Sequence, residues 1–449
     1  MTQTIDKNVL IITYHMIPNT KYWAASQRMY ILAEQLMDNC DSVKVLHANY
    51  GFHGFFGKTP SFSMQAIDIK PSFFQKSQEH NQQIFSVSSE ECKKIRLLDK
   101  IIPLVKKLFG GLHSFLEKTV YNDWSSGIYV RLWCIQAWPV VKKIIDNDNI
   151  SHVIISGPYF TTFSIGEKIK SRNSNIKLVL DYRDPWNFLP SGSSLFSRYK
   201  EKRYLNIADK VTVFSETMQS DIVDKYCIPK EKVIAMYNGY DKTSWSELDS
   251  NHHSYFDFPC AIKGKKKMVV SYISSNISLD DDFRDVTNLL KALSAVKTPS
   301  IIELNLVGVN NIDDFRGVNL LNPKINLIER VPHKTSLEIL LQSDVVIVLS
   351  TEDKPSLYTV TGKLFDCIKS GAFVLGISND SNIEYNKIIN KYGLGSTVSN
   401  ELDQLVHTFN SLICLWQQND MKLPRNDNIP DFFSRQYQNK KLIEYIKGN

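Results

Sequence analysis

Residues 345–377 constrain this chain more than any other stretch. Two short runs rich in Val and Ile, 345–350 and 373–377, flank a segment in which Leu364, Phe365 and Ile368 share one helical face. Runs so apolar suit strands buried on both faces of a parallel sheet, and parallel neighbours need a helical crossover. The helix is expected to begin near Thr361-Gly362-Lys363, just past a strand's carboxyl end, and to stop at Gly371, which suits a left-handed C-cap. At that edge of an open α/β sheet, the N–H groups and dipole of a helix N-terminus favour an anion, and phosphate is the natural guest. Lys363 would add a cation on the first turn, and Asp366, one turn on, could accept from ribose hydroxyls. The plainer reading of Lys363 is a solvated surface charge.

The same rhythm runs through the first half. A strand at 9–13, a helix at 26–37 with Ser26 as N-cap and a strand at 43–48 make a βαβ opening. The loop at 17–26 contains Trp23 but no glycine, so it is not a dinucleotide fingerprint, and a Rossmann dehydrogenase is disfavoured. Arg28, in the first helical turn, either faces a ligand or is an ordinary exposed arginine. A helix at 132–145, strands at 152–156 and 177–180, a strand at 210–214, a helix at 216–225 and a strand at 233–237 follow. Two strand ends carry unusual chemistry: Ser156-Gly157-Pro158-Tyr159, and Asp181-Tyr182-Arg183-Asp184-Pro185-Trp186. Alternation puts Asp181 and Arg183 on one side and Asp184 on the other. Charges there read as a site, or as an Arg–Asp pair tying down the loop.

From 50 to 126 the α/β rhythm stops, which reads as an insertion. Within it, residues 93–118 repeat apolar groups at helical spacing and carry seven basic against two acidic side chains, while the whole chain carries only +6. Such a segment either lies on an anionic membrane surface or packs as helices on its own domain. The modest overall charge calls for no nucleic-acid partner. Seven scattered cysteines, without a Cys-x-x-Cys pair, fit reduced thiols rather than structural zinc or a disulfide frame. No signal peptide and no run of about 18 apolar residues is visible, so a cytoplasmic location is expected. Length suggests two or three domains. The polar stretch 249–267 reads as a linker, after which strands at 268–273, 302–307 and 325–328 and a helix at 336–341 form a second series. A helical tail is expected at 433–446.

Taken in order, Val179-Leu180-Asp181-Tyr182-Arg183-Asp184-Pro185-Trp186, Ala208-Asp209-Lys210-Val211-Thr212-Val213-Phe214-Ser215, Tyr237-Asn238-Gly239-Tyr240-Asp241 and Thr361-Gly362-Lys363-Leu364-Phe365-Asp366 resemble family 4 of the retaining glycosyltransferases. The likeness runs over nearly the whole chain outside the insertion. It implies an α/β GT-B fold, two Rossmann-like domains facing each other across a cleft. Residues 1–250 would bind the acceptor, with the insertion at about 50–130, residues 262–428 would bind the nucleotide sugar, and a helix at 433–449 would cross back to the first domain.

The implied reaction moves a sugar from a UDP- or GDP-linked donor to an acceptor hydroxyl with retention, without cofactor or metal. The implied setting is bacterial surface-polysaccharide or lipid-linked glycan synthesis, cytoplasmic or peripheral on the inner face of the membrane. Carried onto this sequence, Arg183, Asp184 and Lys363 are the catalytic candidates. Ser275, Arg284, Tyr358, Thr361, Gly362 and Asp366 would bind the nucleotide sugar, and Trp23, Arg28 and Gly157 the glycan or lipid-linked acceptor. The family's paired glutamates fall on Tyr358 and Asp366, and its histidine after the fourth strand on Arg183. The competing readings are an inverting transferase or sugar-nucleotide epimerase on the same scaffold, and a non-catalytic scaffold that sits on membranes.

Overall fold

The apolar runs become strands stacked side by side. The computed structural model describes residues 7–17, 23–49, 61–68, 128–188, 195–249, 267–277, 279, 285–350, 357–358, 360, 362–426 and 429–448. These form two compact units. One comprises Met1–Val213, Ile222–Ile234 and Leu442–Asn449, and the other Phe214–Asp221 and Ala235–Lys441.

The first unit is built on β1 (Asn8–Thr13), β2 (Ser42–Asn49), β3 (Ser63–Asp68), β4 (His152–Gly157), β5 (Lys177–Tyr182), β6 (Lys210–Val213) and β7 (Val233–Ala235), in spatial order β3-β2-β1-β4-β5-β6-β7. The order reverses between β1 and β4, the place where open sheets of this kind bind ligands. Register brings Thr13 beside Ser156, Ser156 beside Asp181 and Asp181 beside Thr212, a polar row across four strands near their carboxyl ends. β3 corrects the reading of 50–126 as wholly inserted: Ser63–Asp68 continues the sheet, parallel to β2. It is an edge strand with exposed side chains at Ser63, Gln65 and Ala66, so it lacks the apolar run that marks its neighbours. The opening helix spans Trp23–Met37, which overturns Ser26 as N-cap. Ser26 is fully buried inside the helix, because the good helix formers Ala24 and Ala25 extend it backwards. The amphipathic stretch 93–118 lies outside the described residues.

The second unit is built on β8 (Met268–Ile277), β9 (Ile302–Val309), β10 (Lys324–Ile328), β11 (Val345–Ser350), β12 (Phe373–Ser378) and β13 (Gly395–Val398), in order β10-β9-β8-β11-β12-β13, with every pair parallel. β11 shows why its sequence is apolar throughout. Val345, Ile347 and Leu349 enter the core on one face and Val346 and Val348 the core on the other. Burying each such side chain is worth about 1.5–3 kcal/mol. The crossover helix is Gly362–Lys369, and Gly371 beyond it has φ +75°, donating to the Ile368 carbonyl at 3.1 Å, as a C-cap requires.

Two boundaries move. The long continuous segment of the second unit begins at Ala235 rather than after residue 250, because Tyr237, Tyr240 and Trp245 are buried in the same core as Phe365 and Phe433. Gly239 is needed there: φ is +61°, and a Cβ would lie 2.5 Å from the Arg435 backbone nitrogen. That approach lets Tyr240 donate to the Phe433 carbonyl at 3.0 Å while the Arg435 N–H donates to the Tyr240 carbonyl at 2.8 Å. The tail is not one helix but Arg435–Gln438 followed by Lys440–Lys447, and only Leu442–Asn449 counts with the first unit. Leu442 and Ile446 are buried there, whereas Tyr437 is exposed. No helix among the described residues is long and apolar enough to cross a membrane.

Candidate functional site

In the first unit the polar row closes around Asp181. This carboxylate is fully buried and accepts from Ser156 Oγ at 2.7 Å, Thr212 Oγ1 at 2.6 Å and Arg28 Nη2 at 2.8 Å. Donors on both oxygens are what allow a charge to sit inside a sheet edge. Arg28 is thereby corrected from a ligand-facing or exposed arginine: it is 2 % exposed and held on Asp181. Arg183 turns to the preceding strand end, where Nε donates to the Gly157 carbonyl at 2.9 Å and Nη2 to the Pro158 carbonyl at 3.0 Å. It thus fixes the Gly157-Pro158-Tyr159 turn with a charged fork that only arginine offers. Gly157 itself admits no side chain, since a Cβ would stand 2.6 Å from the Phe160 ring. Asp184 is half-buried, and burial raises its pKa, with the Arg183 charge opposing and Asp181 reinforcing the shift. Trp23 opens the first helix, but its side chain lies outside the described residues.

His15, just past β1, was not singled out by the sequence, where a lone histidine after a strand carries no motif. It is buried beside Tyr14 and Tyr159, with ring centroids 5.4 and 5.5 Å away. Burial, and then the Arg183 charge, lower its pKa to about 3. His152 is likewise lowered to about 4, by burial and then by Lys7 and Lys177. Both rings are neutral when folded, yet both protonate near pH 6.5 when unfolded. The unfolded state therefore binds more protons below that pH, and stability falls as pH drops from about 6.5 towards 4. His15 alone contributes a slope of up to about 1.4 kcal/mol per pH unit across that window. Urea unfolding at a series of pH values should show this loss, and His15→Gln should reduce it to the part that His152 contributes.

In the second unit the order reverses between β8 and β11, and helix Gly362–Lys369 follows β11. Gly362 is exposed, and a Cβ there would meet nothing within 4 Å. Lys363 is half-buried on the same turn. Asp366 accepts from Trp245 Nε1 at 3.2 Å and lies 3.2 Å from His333 Nε2. Tyr358, 7 % exposed, donates to Asp221 Oδ2 at 2.5 Å, and burial and that carboxylate raise its pKa. The structure therefore brings together Gly362, Lys363 and Asp366 on one helix. Ser275 belongs to β8, with its side chain outside the described residues, as are Arg284 and Thr361 altogether.

The sequence also gave no sign of Glu384. It is 2 % exposed and accepts from Tyr237 Oη at 2.7 Å, the Glu216 N–H at 3.2 Å and the Thr217 hydroxyl. Its own N–H donates to the Leu357 carbonyl at 2.9 Å, which anchors the residue before Tyr358. The partners of its carboxylate lie more than a hundred residues away in the chain, so no local pattern marks it.

Residues 119–244 match the model of Glycosyltransferase Family 4. No curated protein matches the chain. Among solved structures, a glycosyltransferase from Rickettsia africae is similar at 12% identity and TM-score 0.57, covering 99% of this chain and 98% of that one. The Anabaena protein HepE in complex with UDP is similar at 13% identity and TM-score 0.56, over 98% of this chain and 100% of that one. A UDP-GlcNAc 2-epimerase from Neisseria meningitidis, bound to UDP-GlcNAc, is similar at 12% and 0.55, over 98% and 100%. These likenesses concern the fold. The chain is thus an α/β protein of two Rossmann-like units, similar to the GT-B glycosyltransferases, with a Glycosyltransferase Family 4 match running from 119 to 244 that supports glycosyl transfer as its general chemistry.

Proposed function

We propose that this chain transfers a sugar from a UDP- or GDP-linked donor to a hydroxyl of a glycan or lipid-linked acceptor, with retention and without a metal ion. The observation that carries the reading is the first turn of helix Gly362–Lys369, where Gly362 is exposed and Lys363 half-buried, on the crossover after β11, the strand beside which the sheet order reverses. The N–H groups of a helix N-terminus and a lysine together neutralise a leaving diphosphate, whose charge grows as the glycosidic bond breaks. Asp366 keeps lone pairs beyond those used by Trp245 and His333, and these suit ribose hydroxyls. Ser275, Arg284, Tyr358 and Thr361 complete the donor side in this reading. In the first unit Trp23, Gly157 and Asp184 serve the acceptor, while Arg183 and Arg28 hold the turn and strand end that position it.

The sugar carbon loses its bond to the β-phosphate oxygen and gains one to the acceptor oxygen on the same face. The acceptor proton passes to the departing phosphate oxygen, so no separate carboxylate base is needed. The setting we assign is surface-polysaccharide or lipid-linked glycan synthesis. A panel of sugar nucleotides screened by thermal shift identifies the donor, since a ligand of the native state raises apparent stability. Product mass and anomeric configuration with that donor and candidate acceptors then test the chemistry. A glycoside of unchanged configuration is expected. An epimerised sugar nucleotide formed without acceptor, or an inverted glycoside, overturns the reading.

A further inference from the structure

On the first unit, large apolar side chains stand in solvent on two helices: Leu132 and Ile135 on Ile128–Asn147, and Leu195, Phe196 and Tyr199 on Leu195–Ile207. Leu195 is 84 % and Ile135 and Tyr199 are 63 % exposed, although each could have been polar at no cost to the core. Both helices pack on Phe163–Arg172, and between them lies a recess of about 210 Å³ lined by Ile135, Trp186, Tyr204, Arg131, Lys168 and Lys200. Cations alternate with the rings: Lys168 lies 5.5 Å from the Trp138 centroid and Lys200 4.4 Å from that of Phe196. Helix Leu195–Ile207 also exposes Arg198, Lys202 and Arg203. Its one acid, Glu201, is buried and takes bonds from Asn187 at 2.7 Å and from Tyr226. The nearby Glu167 is paired with Arg203.

We propose that this face docks on the surface of an anionic lipid bilayer, with the lysines and arginines at phosphate level and Ile135, Leu195, Phe196 and Tyr199 at the acyl boundary. Interleaved cations and apolar groups on helices lying side by side are the pattern of interfacial binding, where the stems of Lys and Arg also cover apolar surface. Charge selects the occupant. A second copy of this face would bring cations against cations, and residues 93–118, with seven basic against two acidic side chains, carry the same sign. The recess includes Thr161 and Trp186, a few residues beyond Gly157 and Asp184, so lipid head groups would arrive at the strand ends to which the proposed function assigns the acceptor. That link deepens the proposed function and rests on it; the docking itself does not require turnover.

Co-sedimentation of the full-length protein with phosphatidylcholine vesicles, with and without phosphatidylglycerol, tests the proposal. The protein should bind the anionic vesicles and not the neutral ones. Lys200→Ala with Lys202→Ala should weaken binding about twenty-fivefold, at a factor of five per basic residue. Leu195→Ser with Phe196→Ser should also release the protein, because both side chains are exposed and their loss leaves the core untouched. Lys297→Ala with Lys422→Ala, an equal charge change in the second unit, should leave binding intact. The proposal is overturned if wild type shows no preference for anionic vesicles, or if both patch pairs bind like wild type. It is also overturned if the patch pairs alter oligomeric state in the absence of lipid, which would make the face a protein interface. Sugar transfer with unchanged vesicle binding in the patch variants would sink the docking and spare the function.

Discussion

Asp181→Ala should destabilise the first unit by about 3–5 kcal/mol, the cost of removing one partner of a buried ion pair. The size follows from what remains: the Arg28 guanidinium 2 % exposed, and the Ser156 and Thr212 hydroxyls without their common acceptor. Arg28→Met combined with Asp181→Leu removes both charges and should recover part of the loss, since an apolar pair leaves no charge uncompensated. Urea midpoints of the two variants check this. A single-variant loss under about 1 kcal/mol would mean that water reaches the strand ends and solvates the arginine.

Lys363→Ala should act on rate instead of stability. The side chain is half-buried on the first turn of its helix, so the unfolding midpoint should hardly move, while sugar transfer should slow by roughly 10²–10³-fold, the usual effect of deleting one preorganised donor to a developing oxyanion. Lys363→Arg should restore part of the rate, because the charge is kept while its geometry changes. A folded Lys363→Ala enzyme turning over within a factor of about three of wild type would remove the lysine from the mechanism.

The parts of the fold legible in the sequence were those whose burial is two-sided. β11 and β12 carry a continuous apolar run because both faces are covered, and such a run has one interpretation. β3 has side chains in solvent and left no such trace. The helix start failed for a related reason: a serine near a helix is a cap only if its backbone is non-helical, and nothing in Ser26 itself says which. The polar row was half visible. Asp181, Arg183 and Arg28 each stood out by type and place, but Arg28 and Asp181 meet across 153 residues, so the sequence could not show that the arginine belongs to Asp181 and not to a ligand. The donor side shares that limit: Lys363 and Asp366 lie one turn apart and are readable together, whereas Trp245 and His333, which fix the orientation of Asp366, are distant in sequence.

The chain leaves its first unit at Val213, returns for Ile222–Ile234, departs again at Ala235 and comes back for its final eight residues. No single scission can therefore yield either half whole. A fragment stopped near residue 250 would lack Leu442 and Ile446, both at 0% exposure, and would carry Tyr237, Tyr240 and Trp245 with no interior to enter. Recombinant halves designed from the linker alone should aggregate, and a usable first half needs the terminal peptide grafted back on.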